Sequence, residues 1–332
     1  MRIYAAASGR AMQGLLLLLL LLGCAQAAAS APPLALTPIK LTPIQVAPQV
    51  YYFQGQAGMA SVQNKGFMSN AGFVVTRDGV VVFDALATPV LGEAMLKAIA
   101  GVTAQPVRRV VVSHYHADHF YGLQAFKLQG AEIWAHGAGK ATLMSEFTQT
   151  RLAERRASLA PWVDGATRLL AADRWLEFGA DKQLKFELGG TRFTLLDVGG
   201  AHSPEDLMLY VEDAQVLFAG DLFFTGRIPF VGEADSKAWL QALARFPAAP
   251  KVVIPGHGPA SSKPQADLAL TTSYLLYLRE QMGRAVADMQ TFDEAYQQVD
   301  WSRFEQYPAF KEANRINAYG TYLLLERESL GK

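Results

Sequence analysis

Residues 113–119 of the chain read Ser113-His114-Tyr115-His116-Ala117-Asp118-His119. This stretch places three imidazoles and one carboxylate within six residues, at the end of the apolar run that begins at Val107. A lone histidine usually has no chemical role, but four ligand-type side chains in one loop need either solvent or a cation to satisfy them. Because neutral imidazole is the commonest metal ligand in proteins, the stretch predicts a metal site.

Three further candidate ligands lie far along the chain, each after an apolar run. His202 stands in Gly199-Gly200-Ala201-His202-Ser203, Asp221 follows Val216-Leu217-Phe218-Ala219-Gly220, and His257 stands in Ile254-Pro255-Gly256-His257-Gly258. We expect each run to be a strand that ends in a glycine-containing turn, where the backbone can come close to a ligand. Residues at strand ends on a rigid scaffold commonly form binding and catalytic sites.

Seven side chains are thus candidate ligands: His114, His116, Asp118, His119, His202, Asp221 and His257. They are too many for one tetrahedral zinc ion and suit two metal ions that share a carboxylate and a water, a pair that lowers the pKa of the shared water. All offer nitrogen or oxygen and none offers sulfur, so zinc fits, while iron and manganese are also compatible. The set predicts two metal ions per chain, with two Zn²⁺ ions as the first expectation.

The hydrophobic pattern along the chain predicts a mixture of strands and helices. Residues 45–53 read as one strand, and residues 72–85 as a hairpin, since Asp78-Gly79 between two β-branched runs is a strong turn signal. Residues 118–128 read as one helix, and residues 266–289, 292–299 and 309–328 as three more. Two groups of strands separated by helices suggest two sheets packed face to face with helices outside, although the pattern alone supports an α/β fold as well as an α+β fold.

The order His114-x-His116-x-Asp118-His119, then His202, Asp221 and His257, resembles the metallo-β-lactamase superfamily over about residues 70–260. The resemblance implies a four-layer αββα metallo-β-lactamase sandwich with a C-terminal helical extension, and a metal-dependent hydrolase. It also implies that His114, His116 and His202 bind the first metal, and that Asp118, His119 and His257 bind the second. Asp221 would bridge the two metals, and Asp118 and Asp221 are the candidate catalytic carboxylates.

One departure and two further stretches narrow this resemblance. Two-metal β-lactamases with a zinc-bound cysteine carry that thiol where this chain has Asp221, so the aspartate resembles the glyoxalase II, lactonase and phosphodiesterase branches instead. Two further stretches resemble the SoxH-like or quinoprotein-relay zinc metallohydrolases: Gly226-Arg227-Ile228-Pro229-Phe230-Val231-Gly232 and Asn314-Arg315-Ile316-Asn317-Ala318-Tyr319.

The first 27 residues have the order of a secretory signal peptide. Arg2 and Arg10 flank its start, eight leucines follow from Leu15 to Leu22, and Ala25-Gln26-Ala27 forms an A-x-A cleavage site. Eight leucines are too few to cross a bilayer, which needs about 20 apolar residues. The only cysteine, Cys24, stands in a stretch that resembles a lipobox, so a lipoprotein signal that ends at residue 23 is the alternative. We expect an exported protein, soluble or lipid-anchored in the periplasm, or secreted.

Domain organisation and charge complete the expectation. We expect residues 28–44 to form a spacer, residues 45–262 the catalytic domain and residues 263–332 a C-terminal helical extension packed on it. Lys+Arg and Asp+Glu number 30 each, and loss of the leader with Arg2 and Arg10 leaves a net charge of about −2. This balance argues against nucleic acid as a partner. We therefore expect a small-molecule substrate, membrane contact only through a lipid on Cys24, and no particular oligomeric state.

Three features near the ligands carry weaker signals. Asp84, at the end of the hairpin, either orients a ligand histidine or caps a strand end. Arg227, six residues after Asp221, either holds an anionic group of the substrate or forms a structural salt bridge. The loop of residues 54–67 either covers the substrate as a lid or is a long turn.

The leading function is hydrolysis of an ester, thioester, lactone or similar bond by a metal-bridging hydroxide. The alternatives are a periplasmic metallo-β-lactamase that hydrolyses β-lactams and an iron-dependent oxidoreductase of persulfides. A non-catalytic relative is expected to have lost at least one ligand, and all seven are present.

Overall fold

The computed structural model describes residues 39–246 and 250–331. The predicted signal peptide, Cys24 and most of the predicted spacer lie outside these residues. The described residues from Ile39 onward belong to one compact unit.

Twelve strands in the described part of the chain form two sheets. The first sheet has the order β1-β2-β3-β4-β5-β6-β7 and comprises β1 (Ile44–Ala47), β2 (Val50–Phe53), β3 (Ala71–Thr76), β4 (Gly79–Phe83), β5 (Val107–Val111), β6 (Glu132–His136) and β7 (Arg174–Leu176). The second has the order β12-β11-β10-β9-β8 and comprises β8 (Gln183–Leu188), β9 (Thr191–Asp197), β10 (Leu207–Val211), β11 (Val216–Phe224) and β12 (Val252–His257).

The helices of the described residues fall into two sets. The first set comes between strands of the first sheet and comprises α1 (Pro89–Ala100), α2 (Ala117–Phe120), α3 (Leu123–Leu128), α4 (Gly139–Met144) and α5 (Glu146–Ser158). The later ones are α6 (Ser236–Ala244), α7 (Pro264–Ala287), α8 (Phe292–Gln298) and α9 (Phe310–Ser329). Of these described helices, none is both long and apolar enough to cross a membrane.

Alternation along the strands separates the core into three layers. In β4, Val81 and Phe83 face the second sheet and join Phe193 and Phe218 in a core between the sheets. Val80 and Val82 point the other way, into a core beneath α1 and α3. A strand buried on both faces has no polar side, which is why β4 reads as an unbroken apolar run.

A third core lies on the outer face of the second sheet. There Leu275 and Leu278 of α7 join Leu217 and Phe223 of β11, and α7 also contacts α6, α8 and α9. Helices therefore cover the outer face of each sheet, and the predicted αββα sandwich with C-terminal helices is confirmed.

Two predicted elements are divided in the structure. The single strand predicted over residues 45–53 is wrong, because Pro48 has no N–H for the ladder and Gln49 turns with a φ of 64°, so β1 and β2 form a hairpin. The single helix predicted over residues 118–128 is also wrong. It breaks at Tyr121-Gly122, where a Cβ on Gly122 would collide with the carbonyl of Ala85.

Candidate metal centre

All seven predicted ligands come together where strand ends of the two sheets meet. His114 and His116 lie in the connection after β5, and Asp118 and His119 lie in the short helix α2 that follows. His202 lies between β9 and β10, and His257 is the last residue of β12. The first sheet thus supplies four of the side chains and the second sheet supplies three.

Asp221 is placed differently from the expectation. It lies within β11 and not after the end of that strand, because β11 continues through an irregularity in its pairing with β12 at Gly220. The neighbouring strand allows this, since a Cβ on Gly256 would collide with the Asp221 carboxylate. The glycine before His257 therefore makes room for a carboxylate, as the glycine-containing turns predict.

The seven side chains form two groups. In the first, His114, His116, His202 and Asp221 each offer one ligand atom, and these atoms lie within 4.8 Å of one another. In the second, the same holds for Asp118, His119 and His257. His116 and Asp118 are partly exposed and the rest are buried, so the centre is open on one side.

Asp221 lies between the two groups. Its Oδ1 is 3.2 Å from His119 Nε2, and its Oδ2 is 3.3 Å from His257 Nε2, both in the second group. The same Oδ2 is 3.5 Å from His202 Nε2 in the first group. One carboxylate therefore faces ligand atoms on both sides, the arrangement that two cations sharing a ligand require.

Hydrogen bonds on the outer side of the rings fix three of the histidines. His119 Nδ1 lies 2.9 Å from Asp84 Oδ2, and His257 Nδ1 lies 2.8 Å from the carbonyl of Met68. His114 Nδ1 lies 2.9 Å from Ser113 Oγ, which in turn donates to Asp84 Oδ2 at 2.8 Å. With Nδ1 acting as the donor, each ring directs the lone pair of Nε2 into the centre.

Asp84 is therefore placed to orient a ligand histidine. It is buried, its Oδ1 accepts a hydrogen bond from the backbone N–H of Ser113 at 2.7 Å, and its φ is 64°. A left-handed backbone at a residue other than glycine is uncommon and marks a position that its surroundings hold in place.

Several atoms that face the centre have no hydrogen-bond partner among the described residues. They are the buried Nε2 atoms of His114 and His119 and Oδ1 of Asp221, and the last two lie 3.2 Å apart without the geometry of a hydrogen bond. An unpartnered buried polar atom costs about 1–3 kcal/mol, so their convergence needs a cause. A cation held by nitrogen and oxygen donors satisfies all of them, and the residues fit two metal ions.

Burial and charge divide the imidazoles by protonation. Burial and the neighbouring imidazoles hold the pKa of His114 well below its ordinary value, and burial lowers the pKa of His202 to about 3. Burial also lowers the pKa of His119, but the carboxylates of Asp221, Asp118 and Asp84 outweigh it and hold that pKa well above its ordinary value. The imidazoles of the first group are thus in the neutral, metal-binding form, whereas a cation must displace a proton to bind the second group.

A cavity of about 210 Å³ opens on the centre and is lined by His116, Asp118, Asp221 and His257. Met59 from the 54–67 loop also lines it, so this loop lies at the cavity wall. Within the loop, Asn64 bonds to the backbone at Met59, Ser61 and Gly66. The loop thus lies against the cavity and carries its own hydrogen-bond network.

Arg227 also lines the cavity, and its side chain is buried. Its Nη1 donates to the carbonyl of Gly58 at 2.9 Å and lies 3.4 Å from His257 Nδ1. Its Nε has no hydrogen-bond partner, and among the described residues no carboxylate lies within 4.0 Å of the guanidinium. The described residues therefore form no salt bridge with Arg227, and its buried guanidinium faces the cavity.

Two acids that were not predicted from the sequence hold the ligand loops. Glu205 accepts hydrogen bonds from the backbone N–H of Tyr115 at 3.1 Å and from Thr142 Oγ at 2.7 Å. Asp206 accepts from the N–H and the hydroxyl of Ser203, next to His202. Two carboxylates directly before the buried strand β10 are the signal that could have identified them, because a buried acid needs partners.

Asn70 was also missed, and its sequence surroundings give no signal. Its side-chain amide donates to the carbonyls of Pro255 and Gly258 at 2.8 Å each and accepts from the N–H of Gly55 at 2.9 Å. It thereby ties the strand end that carries His257 to the start of the 54–67 loop.

The two stretches that narrowed the resemblance contact each other. Asn317 of α9 accepts hydrogen bonds from the N–H groups of Val231 and Gly232 at 2.7 and 3.2 Å and donates to the carbonyl of Pro229 at 2.8 Å. The C-terminal stretch therefore holds the loop that carries Arg227 into the cavity.

The comparisons with known proteins agree with this geometry. The family model described as "Metallo-beta-lactamase superfamily" matches residues 64–257, which include every predicted ligand. A curated relative, the metallo-beta-lactamase type 2 of Bacteroides fragilis, is 22% identical over 222 residues, which are 64% of this chain and 78% of that protein.

Two solved structures share the fold. A stereoselective inverting sec-alkylsulfatase from Pseudomonas sp. superposes with a TM-score of 0.64 at 18% identity over 86% of this chain. The chain spans half the length of that sulfatase, since the match covers 50% of it. A metallo-beta-lactamase from Pontibacter korlensis superposes with a TM-score of 0.52 at 24% identity, over 71% of this chain and 99% of that one.

Proposed function

The chain belongs to the metallo-β-lactamase superfamily and is a metal-dependent hydrolase, and from this premise we propose that it is a dinuclear enzyme that hydrolyses an ester, thioester, lactone or similar bond. The observation that carries the proposal is Asp221, whose carboxylate contacts histidines of both ligand groups. The second group of donors, Asp118, His119 and His257, supplies the ligands that a second metal ion would need.

His114, His116 and His202 would hold the first metal ion, Asp118, His119 and His257 the second, and Asp221 both. Two metal ions so held would supply Lewis acidity and would lower the pKa of bound water. Zn²⁺ is the proposed metal, and imidazole and carboxylate donors suit it.

The chain's own residues orient the reaction. Asp118 is partly exposed to the cavity, and the charges of His119 and His257 outweigh burial and hold its pKa below its usual range. It is therefore a carboxylate that can accept a hydrogen bond from water at the centre. Arg227 is placed to bind an anionic group of the substrate near His257.

We also propose that the chain lies in the SoxH-like branch of the superfamily. Support comes from the contact between the two stretches that resemble that branch, Asn317 with the loop of residues 226–232.

Hydrolysis of β-lactams is the second candidate, because the curated relative from Bacteroides fragilis is a metallo-beta-lactamase. Asp221 stands where the cysteine-containing β-lactamases carry a thiol ligand. This difference favours hydrolysis of an ester, thioester, lactone or similar bond over hydrolysis of β-lactams. Persulfide oxidation is the third, and it requires iron at the centre.

The experiment that tests the proposal is metal analysis followed by a substrate panel. Purified protein is expected to bind about two Zn²⁺ per chain, as mass spectrometry of dialysed protein measures. The panel contains aryl esters, a thioester, a lactone, nitrocefin and a persulfide, each with and without a chelator. Chelator-sensitive ester, thioester or lactone cleavage supports the proposal. Turnover of nitrocefin alone would favour the second candidate, and iron with persulfide consumption the third.

Export to the periplasm or beyond the cell is a further proposal, supported by the leader of residues 1–27. N-terminal sequencing after expression in a bacterial host is expected to find the chain beginning near residue 28, or at an acylated Cys24. A cytoplasmic chain that keeps residues 1–22 would contradict export, and labelled palmitate separates the two processed forms.

A further inference from the structure

Helix α5 brings two arginines to the cavity. Arg151 and Arg155 are four residues apart, so they lie on one face of the helix, and both line the cavity. The side chain of Arg151 is 37% exposed, and its Nη1 lies 3.1 Å from Glu154 Oε2. In the described part of the chain, Arg155 has no carboxylate within the 4.0 Å of an ion pair. This face of α5 therefore carries one arginine, Arg155, whose charge no carboxylate of the described residues balances in an ion pair.

Tyr121 lies beside these arginines and is an independent sign of a ligand. Its side chain is buried, it lines the cavity, and its hydroxyl has no hydrogen-bond partner among the described residues. Within the described part of the chain, the phenol O–H is thus an unpaired donor that lines the same cavity as two guanidinium groups.

The rest of the cavity wall is largely apolar. Met59, Phe230 and Ile316 line it together with Phe147, the residue one helical turn before Arg151. Phe147 and Ile316 are each 51% exposed, although they are large apolar side chains. An exposed apolar rim on a ligand cavity is favourable only when something apolar covers it.

We infer that Tyr121, Arg151 and Arg155 form a subsite for an anionic group, and that the apolar rim takes a hydrocarbon part of the same molecule. The substrate class is an anionic amphiphile, in which the hydrolysed bond is separate from the charged group. This inference rests on the proposed hydrolase function for the reaction but not for the binding. Arg227 lies beside His257 and serves the metal-facing end, whereas the α5 subsite adds a second point of attachment.

Binding of octane-1-sulfonate, which carries no ester, thioester, lactone or lactam bond, tests the subsite without turnover. Isothermal titration calorimetry of the zinc-loaded protein compares it with methanesulfonate, which lacks the chain, and with octan-1-ol, which lacks the charge. We expect octane-1-sulfonate to bind at least about 10-fold more tightly than either control. Equal binding of octan-1-ol would overturn the anionic subsite, and equal binding of methanesulfonate would overturn the apolar one.

Variants assign the effect to residues. Arg151→Met and Arg155→Met are each expected to weaken octane-1-sulfonate binding about 3- to 10-fold, and Tyr121→Phe about 3-fold. The matched control is Arg284→Met, since Arg284 is an exposed helical arginine outside the cavity lining. Unchanged binding in both arginine variants, with loss of binding on chelation, would place the sulfonate on the metals and refute the subsite.

The same variants separate this inference from the proposed function. If octane-1-sulfonate binds as expected but no ester, thioester or lactone is cleaved, the subsite stands and the proposed reaction is wrong. If hydrolysis occurs with neutral and anionic substrates alike, and the variants do not change kcat/KM, the reaction stands and the subsite is wrong.

Discussion

Oδ2 of Asp84 accepts from both Ser113 Oγ and His119 Nδ1, at 2.8 and 2.9 Å. Asp84→Asn would present an amide N–H to His119 and would force its proton onto Nε2, the atom that faces the centre. Asparagine also tolerates the positive φ at this position. We therefore expect a folded protein whose second metal is bound about 10- to 100-fold more weakly, as a competition titration with a chelator measures.

Asp197→Asn is the control for this variant. Asp197 pairs with His136 at 3.5 Å, outside the ligand groups, so metal affinity should not change. Native affinity for both metals in Asp84→Asn would show that Asp84 does not orient His119 for binding.

Removal of Asp221 tests the shared ligand. Asp221→Ala removes one of the four donors of the first group and the carboxylate that faces His119 and His257 of the second. It also removes a negative charge that offsets the repulsion between two dications. We expect about one metal per chain after dialysis, retained circular dichroism, and a fall in kcat/KM of at least about 100-fold. Two tightly held metals with near-native turnover would rule out the shared role.

Metal occupancy should depend on pH differently in the two groups. A cation must displace any proton on its imidazole ligands. Because the pKa of His119 is raised, this imidazole still holds its proton at a pH above 6.5, its ordinary pKa. His114 and His202 have lowered pKa values, so protons compete with the first metal only in more acidic solution. Acidification is therefore expected to release one metal equivalent before the other. A pH series of dialysed samples analysed by mass spectrometry would contradict this if both metals left together.

Arg227→Ala should raise KM for an anionic substrate more than it lowers kcat, by about 10-fold in KM. The reason is that its guanidinium faces the cavity without a carboxylate partner in the described structure. A neutral ester of the same chain length is the control, and its KM should change much less. Equal changes for both substrates would instead point to the contact with Gly58 as the residue's main role.

Asn317→Ala should affect both stability and substrate binding. It leaves the N–H groups of Val231 and Gly232 without their acceptor, which is expected to lower the free energy of unfolding by about 2–4 kcal/mol. The loop that carries Arg227 should loosen, and KM for an anionic substrate should rise while metal content stays the same.

Asn314→Ala is the matched control, because Asn314 lies on the same helix and is also buried, but bonds to Tyr274 and Tyr296. Denaturation and kinetics should show a loss of stability without the rise in KM. A similar rise in both variants would mean that α9 acts through general stability.

The metal ligands were predictable because their chemistry is local in the sequence. Three imidazoles and a carboxylate in residues 114–119 indicate a cation before any fold is known, and glycines mark the strands that bring the others. The αββα layers were implied by the resemblance to the metallo-β-lactamase superfamily, and an unbroken apolar run such as β4 is consistent with them, since it is typical of a strand buried on both faces.

Other features depend on contacts between distant residues. Asn70 donates hydrogen bonds to the carbonyls of Pro255 and Gly258, which are distant in the sequence, and the residues around Asn70 do not predict these contacts. Arg151 and Arg155 have a spacing that places them on one helix face, but only the packing of α5 shows that this face meets the cavity. The break between β1 and β2 was a missed local signal, since Pro48 is visible in the sequence.

The hydrogen bonds between Asn317 and the loop of residues 226–232 have an evolutionary consequence. The metal ligands are anchored in the two sheets, whereas the position of Arg227 is set from α9, near the end of the chain. Substitutions in α9 can therefore change what the cavity accepts while the metal-binding side chains stay in place. A lineage in which this helix is substituted would be able to change its substrate specificity and keep the same metal-dependent reaction.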